Sequence, residues 1–145
     1  MRFFVDTNIV IYTRDPTEPA KQKAATQWLT ELARRDIAVV NLQVLNELCH
    51  VVLRKLPHIG VQALQDWVAE LRPWGETVVD AEITDAAWPI HLTFGYSWFD
   101  CLLLAAADRL GCTHFLSEDM GHGVRVESLV ILNPFRLAPS EILSH

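Results

Sequence analysis

Short apolar runs alternate along this chain with stretches whose apolar residues recur every three or four positions. That alternation predicts strands interleaved with helices. Residues 2–6 form a compact β-type run. Residues 19–35 read as a helix with Ala24, Ala25, Trp28, Leu29 and Leu32 on one face. Residues 37–41 are strand-like, and residues 42–55 are helical, with Val44, Leu45, Leu48, Val51 and Val52 as the stripe. Pro57 and Gly60 break the chain before a helix over 61–71 and a short strand over 77–79. A helix is expected over 84–94 despite Pro89. The clearest helix covers 97–110, with Ser97 as its N-cap and Gly111 just past its end. Strands follow over 114–117 and 126–132.

Strands that alternate with helices imply βαβ units, a parallel sheet and right-handed crossovers. The expected architecture is a three-layer α/β/α domain with a short central parallel sheet. Extra helices are inserted between the second and third strands. With no repeat, linker or low-complexity segment, residues 1–145 read as a single domain of ordinary size.

Half of the 145 residues are hydrophobic, enough for one substantial core, and no window is long and apolar enough to span a bilayer. The start Met1-Arg2-Phe3-Phe4-Val5-Asp6 does not resemble a signal peptide, so a cytoplasmic location is expected. Cys49, Cys101 and Cys112 are too few and too scattered for a zinc or disulfide framework. The formal net charge of −6 is unusual for a nucleic-acid binder, which normally carries a basic footprint. Bound divalent cations would offset part of that charge.

Candidate chemistry comes from where the topology sends the acids. Ligands of an open parallel sheet bind beyond the carboxyl ends of its strands. Asp6 closes the first strand, and Asp119 follows the strand over 114–117. The helix that carries Glu47 leaves the second strand at the same edge. Asp100 begins a helix that must deliver the chain to the opposite edge, so its own N-terminus points back. Asp6, Glu47, Asp100 and Asp119 therefore converge. Carboxylates so crowded repel one another, and hard oxygen donors suit Mg²⁺ or Mn²⁺, one or two ions. A metal held there activates water and stabilises charge on a phosphoryl oxygen, which is the chemistry of phosphodiester hydrolysis.

Each acid also has a plainer role open to it. Asp6-Thr7-Asn8 suits a turn or cap, and Asp100 resembles the acid of a capping box after Ser97. Glu47 could be a solvated flank residue. Glu118 stands beside Asp119, and either could be a surface charge. His122, between two glycines, is a weak candidate for a base. Among the cations, the pairs Arg34-Arg35 and Arg54-Lys55 end helices and compensate helix dipoles. Arg14, Lys21, Lys23 and Arg125 are better placed for phosphates.

Four segments resemble the PIN-domain nucleases, and the VapC-like toxins of toxin–antitoxin pairs in particular. They are Phe4-Val5-Asp6-Thr7-Asn8, Gln43-Val44-Leu45-Asn46-Glu47, Ser97-Trp98-Phe99-Asp100 with Leu103-Leu104-Ala105-Ala106-Ala107, and Leu116-Ser117-Glu118-Asp119-Met120 with Gly121-His122-Gly123. The resemblance implies a metal-dependent endoribonuclease whose metal site is formed by Asp6, Glu47, Asp100 and Asp119. It further implies that Thr7, Asn8 and Ser117 orient ligands or water. Glu118 could supplement or replace Asp119. A homodimer and a small antitoxin protein that covers the cleft are also implied.

Three other readings compete. A phosphoryl-transfer enzyme of the haloacid-dehalogenase type would want Asp-x-Asp after the first strand, where this chain has Asp6-Thr7-Asn8. A receiver domain would want paired acids there and a late lysine. A non-catalytic interaction domain would leave the acids without chemistry.

Overall fold

In the computed structural model, which describes residues 1–143, Phe3, Phe4 and Val5 form β1 (Phe3–Val5) and have no exposed surface. Successive strand side chains point to opposite faces, so full burial of all three means that helices cover both faces of the sheet. β1 pairs in parallel with β2 (Ala38–Val39) on one side and β3 (His114–Leu116) on the other. β5 (Leu129–Leu132) continues the sheet in parallel beyond β3, and β4 (Arg125–Val126) closes that edge antiparallel. The order is β2-β1-β3-β5-β4. Phe4 stacks on Phe115 across the β1–β3 pair with ring centroids 5.3 Å apart, and Phe3 stacks on His114 at 4.5 Å.

Among the described residues six α-helices surround this sheet: α1 (Thr7–Tyr12), α2 (Pro19–Arg34), α3 (Leu42–Lys55), α4 (Val61–Leu71), α5 (Ala81–Phe94) and α6 (Trp98–Arg109). α3 starts where the buried Asn41 side chain accepts a hydrogen bond from the Val44 amide at 3.1 Å, a standard N-cap. Its residues Val44, Leu45, Leu48 and Val52 are buried, as the stripe predicts. α6 buries every residue from Cys101 to Ala107, which fits its nearly continuous apolar sequence. Trp28 of α2 donates its indole N–H to the carbonyls of Pro134 and Leu137, fastening the C-terminal segment to the core. The cysteines are free thiols. Among the described residues no single helix is long and apolar enough to cross a membrane.

Three expected elements differ from the structure. Residues 77–79 are not a strand; the segment touches the β2–α3 junction only through the Leu42 amide to the Thr77 carbonyl, 3.0 Å, while Val40 binds the Trp74 carbonyl upstream. The expected strand over 126–132 is instead a hairpin, β4 and β5, with Glu127 left-handed at φ 52° between them. Glu-Ser lacks the Asn-Gly or Asp-Gly signature of tight hairpins, so the turn is hard to read from sequence. The helix expected from residue 84 begins at Ala81, because the Asp80 carboxylate caps the Ile83 amide at 3.0 Å. The helix runs through Pro89 to Phe94.

Gly75 is held against the chain entering α3. Its φ is +140°, and a Cβ there would lie 2.2 Å from the Val40 carbonyl oxygen. A side chain would have to displace backbone, not another flexible side chain. Gly75→Ala is therefore expected to lower unfolding stability by more than about 1 kcal/mol in urea titration; an unchanged midpoint would contradict this close approach.

Candidate active site

Beyond the carboxyl edge of the sheet lies an open cavity of about 600 Å³. All four acids singled out from the sequence line it: Asp6 from the end of β1, Glu47 from α3, Asp100 from the first turn of α6 and Asp119 from the loop after β3. Its floor is the gap between β1 and β3. The chain leaves β1 toward β2 on one side and leaves β3 toward β4 and β5 on the other, so the loops part and open a crevice.

The buried polar side chains of the described chain are Asp6, Thr7, Asn41 and Ser117. All but Asn41 join in one hydrogen-bonded set, which accounts for a charged group so deep in the protein. One Asp6 oxygen accepts the Thr7 amide at 2.8 Å, and the other accepts the Ser117 hydroxyl at 3.0 Å. The Ser117 oxygen in turn accepts the Asp119 amide at 3.3 Å. The Thr7 hydroxyl donates to Glu47 at 2.7 Å, and Gln43 donates its amide to the other Glu47 oxygen at 2.9 Å. Thr7 and Ser117 thus orient carboxylates, while Asn8 lines the cavity from the first turn of α1. Asp100 is tied to its own helix start, where its amide donates to Ser97 at 3.3 Å.

Charge is poorly balanced here. The Asp6 carboxyl is pushed up to about 7, first by burial, then by the field of Asp100 and to a lesser degree Glu47; the Ser117 and Thr7 hydrogen bonds oppose the rise. The Asp100 carboxyl is also raised, first by burial and then by Glu47 and Asp119, against the pull of Ser97. Among the described residues, no three His, Cys, Asp or Glu side chains close into a finished coordination shell. The four acids nonetheless line one cavity. Such a donor set still fits a small hard cation, because Mg²⁺ keeps several waters and needs only one or two carboxylates directly.

Glu118 points elsewhere. Its carboxylate accepts the Tyr12 hydroxyl and, at 2.9 Å, the Lys21 ammonium, which is raised above the usual lysine range mainly by that bond. Glu118 thereby fastens the loop bearing Asp119 to α1 and α2, the first of which begins beside Asp6. The expectation that Glu118 could enter a metal shell is not favoured by this arrangement. Arg14, Lys21, Lys23 and Arg125, expected near phosphates, do not line the cavity. Arg14 lies over the Trp67 ring at 4.2 Å and meets Glu70 at 3.3 Å, and Lys21 is engaged by Glu118. His122 accepts the Asn133 amide through Nδ1 at 3.1 Å and is not part of the cavity.

Several lining residues are not singled out by the sequence reading. Gln43, Asn46, His50 and Val51 share one face of α3 with Glu47, three or four residues to either side or next to it. Counting helical steps from Glu47 finds them. Val78, Val79 and Phe99 supply an apolar wall that no periodicity announces.

Comparison with known proteins adds the following. The family model for the PIN domain matches residues 3–122. No curated protein matches the chain. Among solved structures, a chain of a toxin–antitoxin complex from Klebsiella pneumoniae is similar with a TM-score of 0.65 at 14% identity, covering 92% of this chain and 98% of that one. The sarcin–ricin loop cleaving toxin VapC20 of Mycobacterium tuberculosis is similar with a TM-score of 0.55 at 18% identity, covering 78% and 86%. At such identities the likeness establishes the fold.

The raised Asp6 carboxyl has a consequence for stability. An aspartate in the unfolded chain releases its proton near pH ~4, whereas the folded chain holds this one to about 7. Between those values the folded state binds more protons, so stability from this group is full below the lower value and is lost as pH rises through the upper one. Metal-free protein should therefore melt at progressively lower temperature from pH ~5 to pH ~7.5, and Asp6→Asn should flatten that decline. Parallel profiles for the two proteins would contradict it.

Proposed function

We propose that this protein, which belongs to the PIN domain family, is a metal-dependent endoribonuclease that acts as the toxin of a toxin–antitoxin pair. The observation that carries the reading is the convergence of Asp6, Glu47, Asp100 and Asp119 on one cavity, with Asp6 buried and held at an energetically unfavourable charge. The structural likeness to a chain of a toxin–antitoxin complex and to an RNA-cleaving toxin supports the biological setting. On this reading residues 1–145 are one nuclease domain. The partners are RNA, a small antitoxin protein and a second copy of the chain, and the setting is cytoplasmic.

The four acids are the residues that would hold Mg²⁺ or Mn²⁺, as one or two ions. When bound, such an ion supplies positive charge that lowers the pKa of a water and counters charge building on a phosphoryl oxygen. The protein's own contribution is preorganisation. Ser117 and the Thr7 amide fix both Asp6 oxygens, so the carboxylate cannot swing to relieve its repulsion from Asp100. Thr7 and Gln43 do the same for Glu47, one oxygen each. Glu118, gripped by Tyr12 and Lys21, keeps the Ser117–Asp119 loop against α1. Groups held in place before the substrate arrives need no reorganisation during reaction.

Cleavage of total cellular RNA should require Mg²⁺ or Mn²⁺, stop with chelator, and fall by at least about a hundredfold in Asp6→Asn and Asp100→Asn. Fragment-end mapping would give the cut position. RNA left intact by the metal-loaded wild type, or cut equally by both variants, would overturn the proposal. Stable phosphorylation of Asp6 by acetyl phosphate would point instead to the phosphoryl-transfer alternatives.

A further inference from the structure

We infer that the apolar half of the cavity is a nucleobase subsite, in which an unpaired base of the RNA stacks on Phe99. The inference rests on the ribonuclease reading above and adds to it a residue that positions the substrate.

Two observations lead to it. The first is charge. Among the described residues the cavity is lined by no lysine or arginine, and the chain as a whole carries −6. The usual source of affinity for nucleic acid, cations on phosphates, is therefore weak at this site. Arg54 is not a lining residue; its Nη1 lies 3.3 Å from Nε2 of His50, which is one. Another source of affinity is needed.

The second is the apolar wall beside the acids. Phe99 is 65% exposed and Val78 61% exposed, although both border a cavity further walled by Leu42, Val51, Val79 and Leu102. Phe99 immediately precedes Asp100 in the first turn of α6, so its backbone position is fixed by the helix start. Its carbonyl accepts the Gln43 amide at 3.1 Å, and the same amide nitrogen grips Glu47. One side chain thus ties the backbone that carries Phe99 to the acid cluster. Asn46 and His50 line the same cavity from α3, with groups able to donate and accept at a base edge.

A nucleobase has an apolar face and a polar rim, and the wall and the α3 face offer the complement of each. Stacking on an aromatic ring holds a base whatever its identity, because every base has a flat π face. Within a duplex the base faces are covered by their neighbours, so the cavity selects a loop, bulge or single strand. The wall adjoins the acids where a phosphodiester must lie to be cut, which makes a base of the same substrate its natural occupant.

The test uses a fluorescently labelled, random-sequence single-stranded oligoribonucleotide and its duplex form, in chelator so that neither is cut. Anisotropy should show the wild type favouring the single strand. Phe99→Ala and Phe99→Leu should each weaken that binding about tenfold, while Phe99→Trp preserves it. In metal, Phe99→Ala should raise KM more than it lowers kcat, with Mn²⁺ affinity by calorimetry unchanged. Equal binding by Phe99→Leu and wild type, equal binding of duplex and single strand, or loss of self-association in Phe99→Ala with RNA binding intact would each overturn the inference. If wild type cleaves RNA and Phe99→Ala is indistinguishable from it, the subsite alone fails. If wild type neither binds nor cleaves RNA, the ribonuclease reading fails with it.

Discussion

Burying a carboxylate beside two others is the constraint on which this structure turns. Asp6 is only 7% exposed at the end of β1, and both Asp100 and Glu47 push its proton affinity upward. A charge in that position is unfavourable without a counter-ion. The surrounding polar residues hold it in place without neutralising it. Ser117 and the Thr7 amide stabilise the charged form of Asp6, yet its carboxyl still rises to about 7. On the proposed reading, that uncompensated charge is what a small, hard cation would offset.

The fold serves that constraint by bringing distant segments to one edge. β1 and β3 are neighbours, so Asp6 and the Ser117–Asp119 loop meet directly. Glu47 and Asp100 come from helices inserted between β2 and β3, each with a firm start: Asn41 caps α3 and Ser97 caps α6. Gly75 lets the chain returning from α4 press against Val40, just ahead of α3. The Tyr12–Glu118–Lys21 contact then closes the loop after β3 onto the helix after β1. Elements that look like packing detail therefore set the spacing of four charges.

Much of this was legible in the sequence because long periodic helices and strand-terminal acids leave strong local signals. The bounds of α3 and α4 and the cap of α6 follow from periodicity and capping alone. Topology alone was enough to bring Asp6, Glu47, Asp100 and Asp119 together. What escaped depends on contacts between residues far apart. The role of Glu118 is decided by Tyr12 and Lys21, on separate helices, and no spacing rule links them. Lys21 and Arg14 fall away from the cavity for the same reason, since acidic partners engage them. Val78 reads as strand because its neighbours are β-branched, but it belongs to an irregular segment that walls the cavity. The β4–β5 turn was hidden because its left-handed residue is a glutamate.

The central claim is that the carboxylate cluster is a cation site, and direct titration of Mn²⁺ onto the folded protein tests it without reference to any substrate. Calorimetry at pH ~7.5 should show saturable binding that weakens as pH falls below ~7, where protons compete for Asp6. Asp6→Asn should lose most of that affinity while keeping a cooperative melting transition. Absence of saturable Mn²⁺ binding at millimolar concentrations, or affinity unchanged in Asp6→Asn, would contradict the account.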